Sequence, residues 1–147
     1  MSLLAQIQED IKSALRSGER LKLTTLRILL SAIKTREKDT RQEITEDAIL
    51  AIIEKQVQLR KEAAELYEAA NRLELFKKEN EEASILQGYL PEKIDIPELT
   101  KIIETIISTI GAETIQDMGQ IMAEIKKQSK GSIDMKIASN IVKEILL

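Results

Sequence analysis

The chain contains no histidine, no cysteine and no tryptophan. Without histidine and cysteine it lacks the usual metal ligands, the usual general base at neutral pH and the usual thiol nucleophile. It also has neither a disulfide framework nor a zinc ribbon. We therefore expect no catalytic residue, no metal site and no cofactor, and an intrinsic enzymatic activity stays open only as an alternative.

Aromatic residues are also scarce, at 2 % of the 147 residues. The core must therefore be built from Ile, Leu, Val, Met and Ala, which is typical of a helical protein. The length fits one ordinary domain or two small ones. The five glycines are scattered one at a time, so no loop can cradle a nucleotide phosphate as a glycine-rich motif does. They are Gly18, Gly88, Gly111, Gly119 and Gly131.

No long hydrophobic run is present. The longest covers residues 48–53, far below the roughly 20 residues that span a bilayer. Near the N-terminus, Glu9 and Asp10 stand where a signal peptide would have its apolar core. The sequence therefore predicts a cytoplasmic location and no membrane partner.

Charge is unevenly distributed although the net value is only −3. Residues 12–41 hold nine basic and three acidic side chains, whereas residues 46–92 hold six basic and eleven acidic ones. One interpretation is two solvated helix faces that attract each other across an antiparallel pair. The other interpretation is that the first half of the chain presents its basic side chains to an anion.

Helical periodicity of the apolar residues predicts four helices in the N-terminal part. Ser2 and Thr45 are suitable N-caps, Gly18 and Asn71 tolerate the conformations that end helices, and Pro91 closes the last one. The predicted helices cover about residues 3–17, 19–37, 45–70 and 73–89, with a polar loop at 38–43.

The C-terminal part predicts three shorter helices around one core. Asp95 starts the first and Gly111 ends it; Asp117 with Gln120 repeats the capping pattern, and Gly131 ends the second. Asp134 or Ser132 starts the last, whose apolar stripe is Ile137, Ala138, Ile141, Val142 and Ile145. We predict an all-α fold with a four-helix domain at 1–94 and a three-helix tail domain at 95–147.

Several short motifs stand in a fixed order along the chain. They are Arg60-Lys61 with Tyr67, Ala70, Asn71 and Arg72, then Tyr89-Leu90-Pro91, Gly111-Ala112, Asp117-Met118-Gly119 with Met122, and Lys130-Gly131 with Asp134. By these motifs the chain resembles, nearly end to end, a stand-alone member of the YqeY family. That family is related to the C-terminal portion of the GatB polypeptide of the aspartyl/glutamyl-tRNA amidotransferase. The resemblance implies the same architecture of four helices followed by three.

The resemblance implies a narrow function. In the amidotransferase, a separate N-terminal part of GatB activates glutamyl-tRNA with ATP, and another polypeptide of the enzyme releases ammonia from glutamine; this chain resembles neither. Domain similarity alone would label it a carbon–nitrogen ligase with glutamine as amido-N-donor. The tail-like region of GatB helps hold the tRNA. The resemblance therefore implies a tRNA-associated accessory module, with tRNA, an amidotransferase or an aminoacyl-tRNA synthetase as partners.

Four lysines surround Gly131, where one predicted helix ends and the next begins: Lys126, Lys127, Lys130 and Lys136. Ammonium groups beside free backbone amides suit phosphates, so these lysines are the predicted RNA-binding residues. The alternative is structural, because lysines in the last turn of a helix complement its dipole. Asp117 is explained as a helix cap without any ligand.

Asn71 and Arg72 form a second candidate interaction site at a helix break. Arg72 could place its guanidinium on a phosphate or carboxylate, with Asn71 hydrogen-bonding beside it. Alternatively, Arg72 holds the corner between two helices through Glu68 or Glu74. Tyr67 and Tyr89 lie on apolar stripes and are expected to pack in the core with their hydroxyls bound.

Three function classes follow. A tRNA-associated module predicts salt-sensitive binding that is lost when Lys126, Lys127 and Lys130 become Glu. A helical protein-interaction adaptor predicts an exposed apolar groove between the two parts. An enzyme of carbon–nitrogen chemistry predicts a pocket with carboxylates or lysines of displaced pKa.

Overall fold

The computed structural model describes residues 1–147 and contains seven α-helices, one short 3₁₀ helix and no strand. The prediction of an all-α protein is therefore confirmed. No helix combines the length and the apolar character needed to cross a membrane. The helices are α1 (Leu3–Ser17), α2 (Arg20–Thr40), α3 (Glu46–Ala69), α4 (Leu73–Gln87), α5 (Ile96–Ile110), α6 (Met118–Ser129) and α7 (Met135–Leu146), and the 3₁₀ helix is Ile115–Asp117.

The chain forms two compact units, Met1–Leu90 and Pro91–Leu147. Helices α1–α4 lie in the first unit and α5–α7 in the second. The segment at 91–94 packs with the second unit, because the Ile94 amide donates to the Ser132 carbonyl at 2.8 Å and the Ile94 side chain contacts the second core.

The first unit is built on a hairpin of α3 and α4, whose mutual contact is the most extensive in the molecule. All four helices contribute to its core, which consists of Ile7, Leu26, Leu29, Ile33, Ile49, Ile53, Val57, Leu86 and Leu90. The three aromatic side chains of the protein, Tyr67, Phe76 and Tyr89, all belong to this unit. The second unit contains none.

The turn between α3 and α4 is set by Asn71, whose φ of 57° is left-handed. The Arg72 amide donates to the Tyr67 carbonyl at 2.8 Å and the Asn71 amide donates to the Glu68 carbonyl at 3.0 Å. These two hydrogen bonds define a Schellman motif, in which a left-handed residue ends the helix and satisfies its last carbonyls. Asn is one of the few residues that accept this conformation readily.

The second unit has a core of aliphatic side chains from α5, α6 and α7. Its buried members are Leu99, Ile103, Ile106, Ile121, Ile125, Ile133, Ala138, Ile141 and Val142. Ile133 lies in the loop between α6 and α7, where helical periodicity gives no signal. By contrast, Ile137 and Ile145, which the sequence places on the apolar stripe of the last helix, are 37 % and 39 % exposed; that part of the prediction is wrong.

Most predicted helix starts are confirmed. The side chains of Ser2, Thr45 and Asp95 accept hydrogen bonds from the backbone amides three residues on. Of the two alternatives for the last helix, Asp134 is the cap, since its carboxylate accepts from the amides of Lys136 and Ile137.

Two predicted boundaries in the first unit are wrong. Helix α2 continues to Thr40, so residues 38–40 are helical and not part of the loop. The Glu37 carboxylate accepts a hydrogen bond from the Ile44 amide at 3.1 Å and thereby fixes the chain that follows the helix. Helix α4 ends at Gln87, and residues 88–89 form a turn.

Two predicted helix ends in the second unit are also corrected. Asp117 does not cap α6 with its side chain; instead Asp117 Oδ2 accepts from the amides of Glu113 and Thr114 at 3.0 and 3.1 Å, at the start of the 3₁₀ helix. Helix α6 ends at Ser129, and Lys130 is its left-handed C-cap with φ 45°, one residue before Gly131 with φ 84°.

Candidate nucleic-acid interface

The four predicted RNA-binding lysines all lie at the junction of α6 and α7. Lys126 and Lys127 occupy the last turn of α6, Lys130 is its C-cap, and Lys136 is the second residue of α7. All four side chains are exposed. The helix ends thus bring the four residues to one end of the second unit, and Lys126, Lys127 and Lys136 take part in no ion pair.

The backbone amides of this junction are largely occupied, which corrects the expectation of free amides beside the lysines. The Ser132 amide donates to the Ser129 carbonyl at 2.8 Å, and the Ile133 amide donates to Ser129 Oγ at 3.2 Å. Asp134 Oδ1 accepts from the amides of Lys136 and Ile137 at 3.0 and 3.3 Å. An anion at this junction would therefore be held by ammonium groups.

A fifth lysine, which sequence reasoning missed, lies at the same junction. Lys93 Nζ donates to the Gly131 carbonyl at 3.3 Å. Lys93 precedes α5 and is 38 residues from Gly131 along the chain, so no local pattern could have placed it there. Its ammonium adds positive charge to the loop that joins α6 to α7.

Asn71 and Arg72 are both exposed at the tip of the α3–α4 hairpin. No ion pair joins Arg72 to Glu68 or Glu74, so the alternative in which these carboxylates hold the corner is wrong. The Schellman hydrogen bonds of the backbone hold it instead. The Arg72 guanidinium is consequently available to solvent, but the structure gives it no anion-binding partner.

A buried ion pair lies between α3 and α4. Arg60, 14 % exposed in its side chain, contacts the carboxylate of Glu82, 8 % exposed, and lies 3.6 Å from Glu79. Lys78 approaches Glu82 at 3.9 Å from the solvent side. Buried charges require such pairing. Arg60, which belongs to the motif pattern of the sequence, therefore has a structural explanation.

Two groups have a displaced pKa. Burial, together with the hydrogen bond to Asp10 and its charge, raises the pKa of Tyr89 above its ordinary value of 10.0. Hydrogen bonds from the amides of Glu113 and Thr114 lower the pKa of Asp117 below its ordinary 3.8. Neither residue lines the open cleft of about 740 Å³ between α2 and α4 or the cleft of about 470 Å³ between α5 and α6.

The predicted attraction between the basic and acidic regions is not seen as ion pairs. In the first unit, ion pairs join Arg16 to Glu9, Arg60 to Glu79 and Glu82, and two lysines of α4 to glutamates one turn away. No lysine or arginine of α2 takes part. The positive charge of the second helix therefore remains uncompensated by direct contact.

Several motif residues noted in the sequence prove to be helix boundaries and cap groups: Asn71, Gly111, Asp117 and Asp134. In a comparison with known families, the family described as Yqey-like protein matches residues 4–146. The chain belongs to the YqeY family. In this YqeY protein, part of the motif pattern therefore marks where helices begin and end.

Curated relatives of this YqeY protein are fungal. It is 25 % identical over 147 residues to a protein of Pyrenophora tritici-repentis named altered inheritance of mitochondria protein 41, mitochondrial, covering 98 % of this chain and 81 % of the relative. It is 29 % identical over 136 residues to the protein of the same name in Lachancea thermotolerans, covering 92 % of this chain and 65 % of the relative. An uncharacterized protein of Schizosaccharomyces pombe is 30 % identical over 91 residues, covering 62 % of this chain and 74 % of the relative.

Proposed function

We propose that this YqeY protein is a non-catalytic accessory module that contacts tRNA, with an amidotransferase or an aminoacyl-tRNA synthetase as its protein partner. The observation that carries the proposal is the cluster of exposed lysines at the α6–α7 junction, joined there by Lys93. Lysine ammonium groups at a helix end position a phosphate backbone without reading its sequence. The non-catalytic part rests on the composition, since the chain has no histidine, no cysteine and no glycine-rich phosphate loop.

The chemistry of this cluster sets the kind of binding to expect. Four phosphate contacts correspond to a slope of about −3.6 in a plot of log K against log salt concentration. The overall charge of −3 opposes association with a polyanion. Binding should therefore be modest and should weaken steeply with salt.

The test is a titration against bulk tRNA at low and moderate salt. The site variant carries Lys126→Glu, Lys127→Glu and Lys130→Glu, and the control variant carries Lys12→Glu, Lys55→Glu and Lys61→Glu, three exposed residues of the first unit. Both variants change the net charge by the same amount. Loss of binding in the site variant alone supports the proposal. Equal loss in both, or no binding by the wild type at low salt, overturns it.

A second candidate function, a helical protein-interaction adaptor, is favoured by exposed leucines on α3 and at the start of α4. Leu59, Leu66 and Leu73 are 49 %, 72 % and 60 % exposed. Leu59 and Leu66 are seven residues apart and thus share one face of α3. If this face docks on the purified amidotransferase, Leu59→Gln with Leu66→Gln abolishes co-elution in size-exclusion chromatography, and the wild type co-elutes without RNA.

We also propose a cytoplasmic location, with which the composition is compatible, since the chain has no cysteine and needs no oxidising compartment for disulfides. Two of the relatives carry names that place those proteins in mitochondria. Immunodetection in fractionated cells decides between the two compartments.

A further inference from the structure

The solvent face of α2 is chemically unlike any other helix face of the protein. The buried side of α2 consists of Thr25, Leu26, Leu29 and Ile33. At 100° per residue, the opposite side carries only basic and hydroxyl side chains. These are Arg20, Thr24, Arg27, Ser31, Lys34, Thr35 and Lys38, all exposed.

This face is long. Arg20 and Lys38 are 18 residues apart, which corresponds to about 27 Å along the helix axis. Arg20, Arg27 and Lys34 follow each other at intervals of seven residues, about 10.5 Å each. The cations therefore form a line. The C-terminal part of this line, from Arg27 to Lys38, borders a shallow cleft of about 370 Å³.

No acidic side chain interrupts the line. Helix α2 contains two carboxylates, Glu37 and Asp39. Glu37 Oε2 accepts the amide of Ile44, and Asp39 lies about 100° around the helix from Lys38. No cation of α2 forms an ion pair. Arg20 shares the cleft between α2 and α4 with Glu19 and Glu81, so the positive charge without acidic neighbours extends from Arg27 to Lys38.

Three hydroxyl groups of the face make no hydrogen bond within the protein. In other positions, helical threonines donate to the carbonyl four residues back, as Thr25 and Thr40 do in α2 itself at 2.8 and 2.9 Å. The hydroxyls of Thr24, Ser31 and Thr35 make no hydrogen bond within the protein. Arginine, lysine, serine and threonine are the side chains that contact phosphate and sugar oxygens in nucleic-acid complexes.

We propose that the exposed face of α2 binds the sugar–phosphate backbone of a double-stranded RNA stem. The choice of RNA rests on the function proposed above, whereas the choice of a helical stem comes from the face itself. The face is a rod without an aromatic side chain, so it lacks the aromatic platform on which proteins stack unpaired bases. Duplex RNA is recognised by shape and by phosphate and 2′-hydroxyl contacts.

Other polyanions fit the face less well. A helix that lies on an acidic membrane inserts an apolar face beside its basic one, but the apolar side of α2 is buried in the core and only Ile28, 47 % exposed, lies at the edge of the basic face. An acidic protein segment would be expected to bring apolar contacts to the centre of its interface, whereas Leu30 is the only apolar side chain that borders the shallow cleft of this face.

The experiment is fluorescence anisotropy with a labelled 20-base-pair RNA hairpin over a series of salt concentrations. The test variant is Arg27→Gln, Lys34→Gln and Lys38→Gln, and the control is Lys12→Gln, Lys55→Gln and Lys61→Gln, with the same change of charge. Circular dichroism verifies that both are folded. Loss of three phosphate contacts lowers the steepness of the salt dependence by about 2.7 and the low-salt affinity at least tenfold, whereas the control stays within twofold.

The outcomes separate this proposal from the proposed function. Weaker binding by the α2 variant with unchanged binding by the variant of Lys126, Lys127 and Lys130 supports the α2 face and not the α6–α7 junction. Wild-type affinity in the α2 variant overturns the α2 proposal, whatever the junction variant does. Equal competition by poly-glutamate, or co-sedimentation with phosphatidylserine vesicles that the α2 substitutions abolish, also overturns it.

Discussion

The phenolic hydroxyl of Tyr89 donates a 2.5 Å hydrogen bond to Asp10 Oδ2, across 79 residues of sequence. Asp10 also accepts from Gln6 Nε2 at 2.9 Å through its other oxygen. Because Tyr89 stands in the turn after α4 and Asp10 in α1, this pair ties the last segment of the first unit to its first helix.

The Tyr89–Asp10 pair should make stability depend on pH in the alkaline range. The raised pKa of Tyr89 means that the folded protein keeps a proton that the unfolded chain releases above pH 10.0. The stabilisation is therefore complete below pH 10.0 and falls as pH rises toward the folded pKa, by at most about 1.4 kcal/mol per pH unit.

Urea unfolding followed by circular dichroism between pH 8 and 11 measures this dependence. Tyr89→Phe should cost about 1 to 2 kcal/mol at pH 8, because the Asp10 carboxylate loses a donor, and should flatten the alkaline decline. Tyr67→Phe, which removes a hydroxyl without a hydrogen bond, is the control. If the stability of Tyr89→Phe fell as steeply with rising pH as that of the wild type, the alkaline decline would come from other groups.

Breaking the buried Arg60–Glu82 pair should cost far more stability than breaking an exposed ion pair. Glu82→Ala should destabilise the protein by about 3 kcal/mol, because the buried Arg60 guanidinium loses its principal partner. Glu81→Ala breaks the exposed pair with Lys77 and should cost about 0.5 kcal/mol or less. Arg60→Met combined with Glu82→Leu should recover more than half of the loss. Chemical denaturation gives all three values, and equal costs for the two single variants would contradict this interpretation.

Replacing glycine by alanine should have opposite effects on stability at two positions. Gly119 lies in the first turn of α6 and a Cβ there would meet nothing within 4 Å, so Gly119→Ala should stabilise by about 0.5 kcal/mol. Gly111 ends α5 with φ +75°, and Gly111→Ala should destabilise by about 1 kcal/mol because of the left-handed backbone. The midpoints of urea unfolding test both signs. A loss of stability in Gly119→Ala would show that the glycine is needed for another reason.

Replacing Asp134 should lower the stability of the protein and strengthen its binding of anions. Asp134→Ala should cost about 1 kcal/mol, the usual value of an N-cap, and it frees the amides of Lys136 and Ile137. With a carboxylate removed from the helix N-terminus, tRNA should bind about two- to fivefold more tightly, since a charge there is worth about 0.3 to 1 kcal/mol.

Glu144→Gln removes the same charge from the exposed C-terminal part of α7 and serves as the control. Glu144→Gln should change neither the stability nor the tRNA affinity appreciably. If both variants raise tRNA affinity equally, the effect is one of net charge and not of the helix end.

Sequence reasoning predicted most helix boundaries because caps are local chemistry. Ser2, Thr45, Asp95 and Asp134 act within three residues of themselves. It failed where two local options compete. The polar residues at 38–40 continue a helix as readily as they form a loop, and Asp117 accepts the amides before it instead of those after it.

Contacts between distant residues could not be read from the sequence. The pairs Tyr89–Asp10 and Arg60–Glu82, and the contact of Lys93 with Gly131, join positions 79, 22 and 38 residues apart. The four lysines of the α6–α7 junction could be predicted, because one helix end and the next helix start bring them together. The occupancy of the amides beside them depended on which of Asp134 and Ser132 became the cap.

The confinement of Tyr67, Phe76 and Tyr89 to the first unit makes the two halves of the molecule optically distinct. With no tryptophan in the chain, near-ultraviolet absorbance and intrinsic fluorescence arise entirely from Met1–Leu90, and Pro91–Leu147 contributes no signal. Tyrosine emission therefore follows the first unit, while far-ultraviolet dichroism follows both. A difference between the two melting curves would measure directly whether the units unfold together, without any label.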